Sequence, residues 1–507
     1  MEKYQCTRRQ FAGLSMAAAA GGLAALGAAA SPHTPWDPQR PLVQLGQPLR
    51  IQPVFMHTHY QRRDKTSWRS WSAIYTPEAA AEESQRIAQE LARLAAALDF
   101  PAQFLPLVTV TSAEQAHQLH QGSYDVVLIY PATGSAAILQ ACFPPKADKD
   151  AIIFVRHRSG PVYYWYEAIS TRQLKKATPE DLETRAADNH GGVTVEDVVV
   201  DDYAEVAWRL RALFGLKNFI GHRIIAVGGP AGKYDPQAPK VAQQRYRLEI
   251  VDISYEQLAK ALQAARSDPQ SLARAEQAAS RYLELPNTRL ATQRAFVVNA
   301  FLLYDVFKAW MQQLAAAALT VNGCMSRILP VADTTPCMAL SWLNDEGYMG
   351  FCESDFVIIP AGILLRYVAG RPVFLHNSTF PHQAFVTCAH CSAPRRMDGK
   401  KYEPAHIMTH YESDFGAAPK VDMATGQVVT FIDPEYSTNH WLGFQGIIRA
   451  NPLYDICRTQ QDVELRGDWQ RLLNETRDSH WMMAYGDWLR ELGYATRKIG
   501  IRWETLA

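Results

Sequence analysis

The sequence predicts an α/β protein, with two open parallel-sheet (Rossmann-like) domains followed by a β-rich C-terminal domain. Two observations predict it. Short continuous apolar runs such as "YDVVLIYPA" alternate with helical stretches, the pattern of strands covered by helices on both faces. Beyond a long apolar helix that alternation stops, and from Leu319 to about Thr459 the chain turns β-rich and irregular. A chain of 507 residues is too long for one ordinary core.

The elements follow in order. Residues 31–50 are rich in Pro and Gln and read as a linker. "IQPVFMHTHY" from Ile51 is the first strand. Thr76 and Pro77 then open a helix, Thr76 as cap and Pro77 at the first helical position. Ile87, Leu91, Leu94 and Leu98 recur along it at helical spacing and form its apolar face. "AQFLPLVTV" reads as a strand, "SAEQAHQLHQ" as a helix, "YDVVLIYPA" as a buried strand, "SAAILQACF" as a short helix and "AIIFVRH" as a strand. A second unit of the same kind begins near Val193. In it, "HRIIAVGGPAG" is a strand running into a glycine turn. Gly228, Gly229 and Gly232 match neither a P-loop nor a dinucleotide fingerprint, so a tight turn is the preferred reading over a phosphate cradle. "RLEIVDISYEQLAKALQAA" is a strand and a helix, and "RAFVVNAFLLYDVFKAWMQQLAAAA" is an interior helix. The end, "HWMMAYGDWLRELGYATRKIGIRW", reads strand–helix–strand. The expected division is 51–190, 191–318 and 319–507.

Composition narrows the function. Hydrophobic residues make up 48% and charged residues 20%, as in a folded globular protein. Lys plus Arg equals Asp plus Glu, 51 each, and no basic stripe suggests nucleic acid. The segment "CTRRQFAGLSMAAAAGGLAALGAAASP" carries Arg8 and Arg9, then a weakly apolar Ala-rich run and a small-residue cleavage pattern before Ser31. This predicts a signal over 1–30 read by the twin-arginine export machinery, and a periplasmic or extracellular protein. No charge-free run of about 18 strongly apolar residues suggests a stable membrane anchor. Of eight cysteines, Cys6 belongs to that signal. The other seven are scattered, unlike a disulfide scaffold. Cys388 and Cys391 form one CxxC, read as buried thiols near a site in preference to zinc ligands or a redox pair.

Two places look capable of chemistry. His57 and His59 end the first strand, where a metal-dependent hydrolase would place ligands. No ordered series of further histidines and a late Asp accompanies them. The second is "GFCESDFVIIPAGILLRYVAGRPVFLHNST". Glu353 and Asp355 stand at the mouth of an almost wholly apolar run, and carboxylates entering a core need a partner or a metal.

That run belongs to "TPCMALSWLNDEGYMGFCESDFVIIPAGILLRYVAGRPVFLHN". With "AHCSAPRRMDG" at Ala389, "CRTQ" at Cys457 and His480 before "WMMAYGDW", it resembles the C-terminal region of the L-fucose/L-arabinose isomerase superfamily, in its fucose-isomerase-like branch. The resemblance spans roughly 320–507. It implies aldose–ketose interconversion of a monosaccharide through an enediol, with a divalent metal, typically Mn²⁺, and a homo-oligomer. It implies that Glu353 is the first metal-binding and catalytic carboxylate, that His480 is a metal-binding histidine, and that His390 is a further ligand. Counting without gaps, Asn377 falls where the superfamily has its second metal-binding and catalytic acid, normally Asp. An amide oxygen can ligate a metal, but it brings no charge and cannot act as a base. His376 would point to the other side of the strand. This substitution leaves open a weakened isomerase or a sugar-binding protein that has lost its base. Asp355, Arg395 and Trp441 are the candidate substrate contacts. Arg395 and Arg396 read first as solvated surface charge, Trp441 first as core, and Asp345 and Glu346 as a turn.

Overall fold

The computed structural model describes residues 35–145, 148–164, 169, 174, 193–435 and 439–506. The expected signal, with Arg8 and Arg9, lies outside the described residues.

The fold is mixed α/β, with two parallel sheets and a barrel-like antiparallel sheet. The first sheet holds β1 (Leu49–Met56), β2 (Ala102–Phe104), β3 (Val108–Val110), β4 (Val126–Pro131), β5 (Asp150–Val155) and β6 (Val198–Val200). Its order is β2-β1-β4-β5-β6, with β3 also on β1, and every pair is parallel. β4 is buried along its whole length, as its unbroken apolar run requires. The expected single strand over "AQFLPLVTV" is two strands separated by Leu105, Pro106 and Leu107. Pro106 has no N–H to give a ladder. The helix Pro77–Ala97 starts as its sequence demands: Thr76 Oγ1 accepts the Ala79 N–H at 3.2 Å, and Ile87, Leu91 and Leu94 are buried.

The expected linker is only partly free. Trp36 is buried edge-on to Tyr282 and Phe301, and the Val43 N–H donates to the Glu346 carbonyl at 2.7 Å. Its last two residues already belong to β1. A large aromatic on an otherwise polar segment is drawn into the nearest core.

The second sheet contains β7 (Arg223–Val227) and β8 (Glu249–Ile253), then, past β9 (Thr288–Ala291), β10 (Ala318–Val321) and β11 (Met349–Cys352). Its order is β11-β10-β7-β8, all parallel. The sheet therefore extends past the expected boundary at 318. The segment after it is also more helical than expected, with helices at Ile328–Ala332, Cys337–Asp345 and Ile359–Ala369. Every residue of Ile359–Ala369 is buried, so no polar face marks it as helical in the sequence.

The remaining strands are β12 (Phe374–Ser378), β13 (Phe385–His390), β14 (Ala405–Met408), β15 (Ala418–Val421), β16 (Val428–Glu435), β17 (His440–Ala450), β18 (Thr459–Arg466), β19 (His480–Tyr485) and β20 (Arg502–Leu506). β14 joins β15 and β9 in a small sheet. The order β16-β19-β12-β13-β18-β17 closes through a β16–β17 pairing, and β20 adds to β17 in parallel. The closing strand–helix–strand is present as β19, Leu489–Lys498 and β20. Among the described residues, no helix is long and apolar enough to cross a membrane.

Candidate functional site

In the second sheet the chain leaves β7 toward β8 on one side and reaches β10 and β11 on the other. The crevice beyond the carboxyl ends of β7 and β10 is thus a topological switch point, where open α/β sheets bind ligands. Here it faces the barrel strands β12, β13 and β19. A cavity of about 560 Å³ lies at this junction, lined among others by Lys233, Glu353, Asn377 and His390.

Glu353 follows β11 directly. It and Ser354 have φ of +64° and +48°, two successive non-glycine residues in the left-handed region. Such a conformation costs about 1–3 kcal/mol per residue and persists only where neighbours enforce it. Here the Ser354 N–H donates to Thr320 Oγ1 at 3.1 Å, and the Ser354 carbonyl accepts the Ala231 N–H at 3.1 Å. Ala231 and Asp355 also form a bridge. The glycine segment after β7 is therefore a turn that docks on the Glu353 segment. Gly228 and Gly229 have positive φ, and a Cβ on Gly232 would lie 2.0 Å from the Asp235 carbonyl oxygen. The turn delivers Lys233.

The four residues implied by the resemblance converge at this point. Asn377 on β12 lies directly across from His480 on β19, so both side chains share a face of the barrel wall. Glu353, His390 and His480 each offer a ligand atom within 4.8 Å of the other two. His480 Nδ1 is 2.7 Å from Asp355 Oδ2, both side chains fully buried, so the imidazole donates there and turns its Nε2 toward Glu353. A carboxylate behind a histidine in this way is the arrangement that orients metal-binding imidazoles. His390 Nε2 is buried, has no hydrogen-bond partner and is 3.6 Å from Glu353 Oε1.

At the centre of the group is a cation that sequence reasoning missed. Lys233 Nζ is 3.0 Å from His480 Nε2, 3.2 Å from Asn377 Oδ1 and 3.4 Å from Glu353 Oε2. The three donors of the ammonium meet three acceptors. Burial alone would raise the Glu353 carboxyl, but the neighbouring His390, His480 and Lys233 groups outweigh it and hold the group well below the usual carboxylate range. The donor set of one carboxylate, two imidazoles and an amide fits a divalent transition ion. For such an ion to enter, the Lys233 ammonium must swing aside. The signal in the sequence was the lysine directly after a strand and glycine turn.

Other expected contacts lie elsewhere. Asp355 is fully buried; besides His480 it accepts the N–H of Lys233 and of Val357, so it positions the site without facing the cavity. Arg395 and Arg396 are buried, not solvated: Asp345 Oδ1 accepts both backbone N–H groups, and both guanidiniums pack on the Tyr402 ring. Trp441 is core, edge-on to Tyr246. Asp345 ends the helix Cys337–Asp345, and Glu346 pairs with Lys308 in the interior, so "NDEG" is no exposed turn. His376 does face the other way, packed by Phe431 and Trp481, and burial pushes it down to about 3. His57 and His59 touch each other, with ring centroids 4.7 Å apart. Among the described residues no third ligand joins them. Instead the cavity presents Tyr411, Glu412 and Asp455, which the sequence did not single out. Among the described residues the cysteines are unpaired thiols; Cys391 lines the cavity, and Cys388 is buried in the apolar core.

No family model matches the chain, and no curated protein matches it.

Proposed function

We propose that the protein is an exported, isomerase-derived sugar enzyme that interconverts an aldose and a ketose slowly. The observation that carries this is the meeting of Glu353, Asn377, His390 and His480, from four separate stretches of the chain, around one cation position on a cavity. In this reading the two parallel sheets are open Rossmann-like domains and the barrel belongs to a C-terminal domain. Glu353, His390, His480 and the Asn377 amide oxygen would hold a divalent ion such as Mn²⁺. That ion would supply positive charge for two adjacent oxygens of an open-chain sugar.

The chain's own residues define the rest. Asp355 keeps His480 in the tautomer that leaves Nε2 free to accept. Glu412, Asp455 and Tyr411 offer hydrogen bonds to sugar hydroxyls from the cavity wall. Proton transfer between neighbouring carbons needs a base of moderate pKa. Asn377 is no base, and in this reading Glu353 is committed to the ion. The site thus favours binding over turnover. A non-catalytic sugar-binding protein is the second reading, favoured by Asn377 and by the satisfied ammonium of Lys233.

Glu353→Ala and His480→Ala are each expected to lower bound Mn²⁺ at least tenfold, since each removes a ligand (about 1.4 kcal/mol or more). Metal analysis of the purified proteins checks this, and equal content in all three excludes the site as described. Export is tested separately. Arg8→Lys with Arg9→Lys should keep the precursor in the cytoplasm; normal appearance of mature protein outside it would refute the twin-arginine reading.

A further inference from the structure

A second group of ligand-bearing side chains opens on the same cavity and is not used by the sugar reading. Cys391 Sγ, Cys457 Sγ and a ring nitrogen of His410 all lie within 4.8 Å of one another. Cys391 and His410 are buried. Each ligand is fixed at a strand end: Cys391 immediately after β13, His410 two residues beyond β14, and Cys457 two residues before β18. Rigid placement of this kind is what a metal site requires.

Three further observations point to a ligand. His410 Nδ1 is buried without a hydrogen-bond partner. The Arg458 N–H donates to Cys391 Sγ at 3.3 Å, the outer-sphere bond that supports a ligating thiolate. The Arg458 guanidinium in turn holds the Thr409 carbonyl at 2.7 Å, which ties the His410 segment to the Cys457 segment. Cys337 packs against Cys391 and Cys457 without completing the three-way group.

We propose that Cys391, Cys457 and His410 form a soft-metal site, with Zn²⁺ as the fitting ion and its fourth position open to the cavity. Two thiolates and one imidazole with an open position are a zinc ligand set of the kind that binds or activates a small molecule. Thiolates select against the hard ions that suit carboxylates, so this site and the Glu353 group sort metals by chemistry. The proposal does not depend on the sugar reading, because it shares no ligand with the Glu353 site.

The test is titration of the reduced, metal-free full-length protein with Co²⁺, followed by near-ultraviolet absorption. Wild type should show an intense thiolate-to-cobalt charge-transfer band that saturates at one equivalent and is bleached by Zn²⁺. Glu353→Ala should keep the band, whereas Cys391→Ser and Cys457→Ser should each lose most of it. Should the cysteine variants fail to fold by circular dichroism, His410→Ala decides. It keeps both sulfurs and should weaken Co²⁺ binding at least tenfold. No band in wild type, or an unchanged affinity in His410→Ala, overturns the proposal. Loss of the carboxylate site with this band intact would refute only the sugar reading.

Discussion

Asn377→Asp is expected to raise aldose–ketose turnover by about 10²–10⁴, the usual worth of a general base. The residue faces the cavity, and its Oδ1 already lies 3.2 Å from the cation position occupied by Lys233 Nζ. The change is nearly isosteric and needs no repacking of β12. It changes the charge instead. Glu353 and Lys233 now cancel, and an aspartate would leave the group one charge negative, which favours a divalent ion. Steady-state turnover on a panel including fucose, arabinose and their stereoisomers gives the comparison. A wild type that is already fast, slowed by Asn377→Asp, would mean that another group moves the proton and that Asn377 is no lost base.

Lys233→Met is expected to tighten Mn²⁺ binding about tenfold to a hundredfold, equivalent to about 1.4–2.8 kcal/mol. The ammonium donates to Glu353, Asn377 and His480, the groups that would hold the ion. Unit charges about 4 Å apart at a protein surface interact by about 4 kcal/mol, and partial exposure of the site lowers that figure. Methionine keeps the length of the stem and removes the charge. Calorimetric titration of both proteins reads the difference. An unchanged affinity would show that Lys233 leaves the pocket at no cost and is no built-in substitute for the ion.

Much of this site was legible before the fold was known, and the reason is local. Glu353, Asn377, His390 and His480 stand in short motifs whose order along the chain carries the resemblance. The capped helix from Pro77 and the buried strand β4 were legible from periodicity and end signals. Lys233 was not, because its role exists only where the turn after β7 docks on the turn after β11. Arg395 misled for the opposite reason. An arginine reads as surface, but the backbone N–H groups of Arg395 and Arg396 both donate to Asp345 Oδ1, and Tyr282 and Tyr402 cover the Arg395 guanidinium. The helix Ile359–Ala369 carried no periodic signal because it is buried on all sides. The thiol site needs three strand ends brought together, and no linear spacing announces it.

We propose that one cation position and the adjoining cavity together bind a sugar. Calorimetric titration of an aldose panel into wild type and Glu353→Ala, with and without Mn²⁺, tests it most directly. At least one aldose is expected to bind wild type at least tenfold more tightly with Mn²⁺ present, a gain that disappears in Glu353→Ala. Absence of aldose binding, or binding indifferent to both the ion and Glu353, would contradict it.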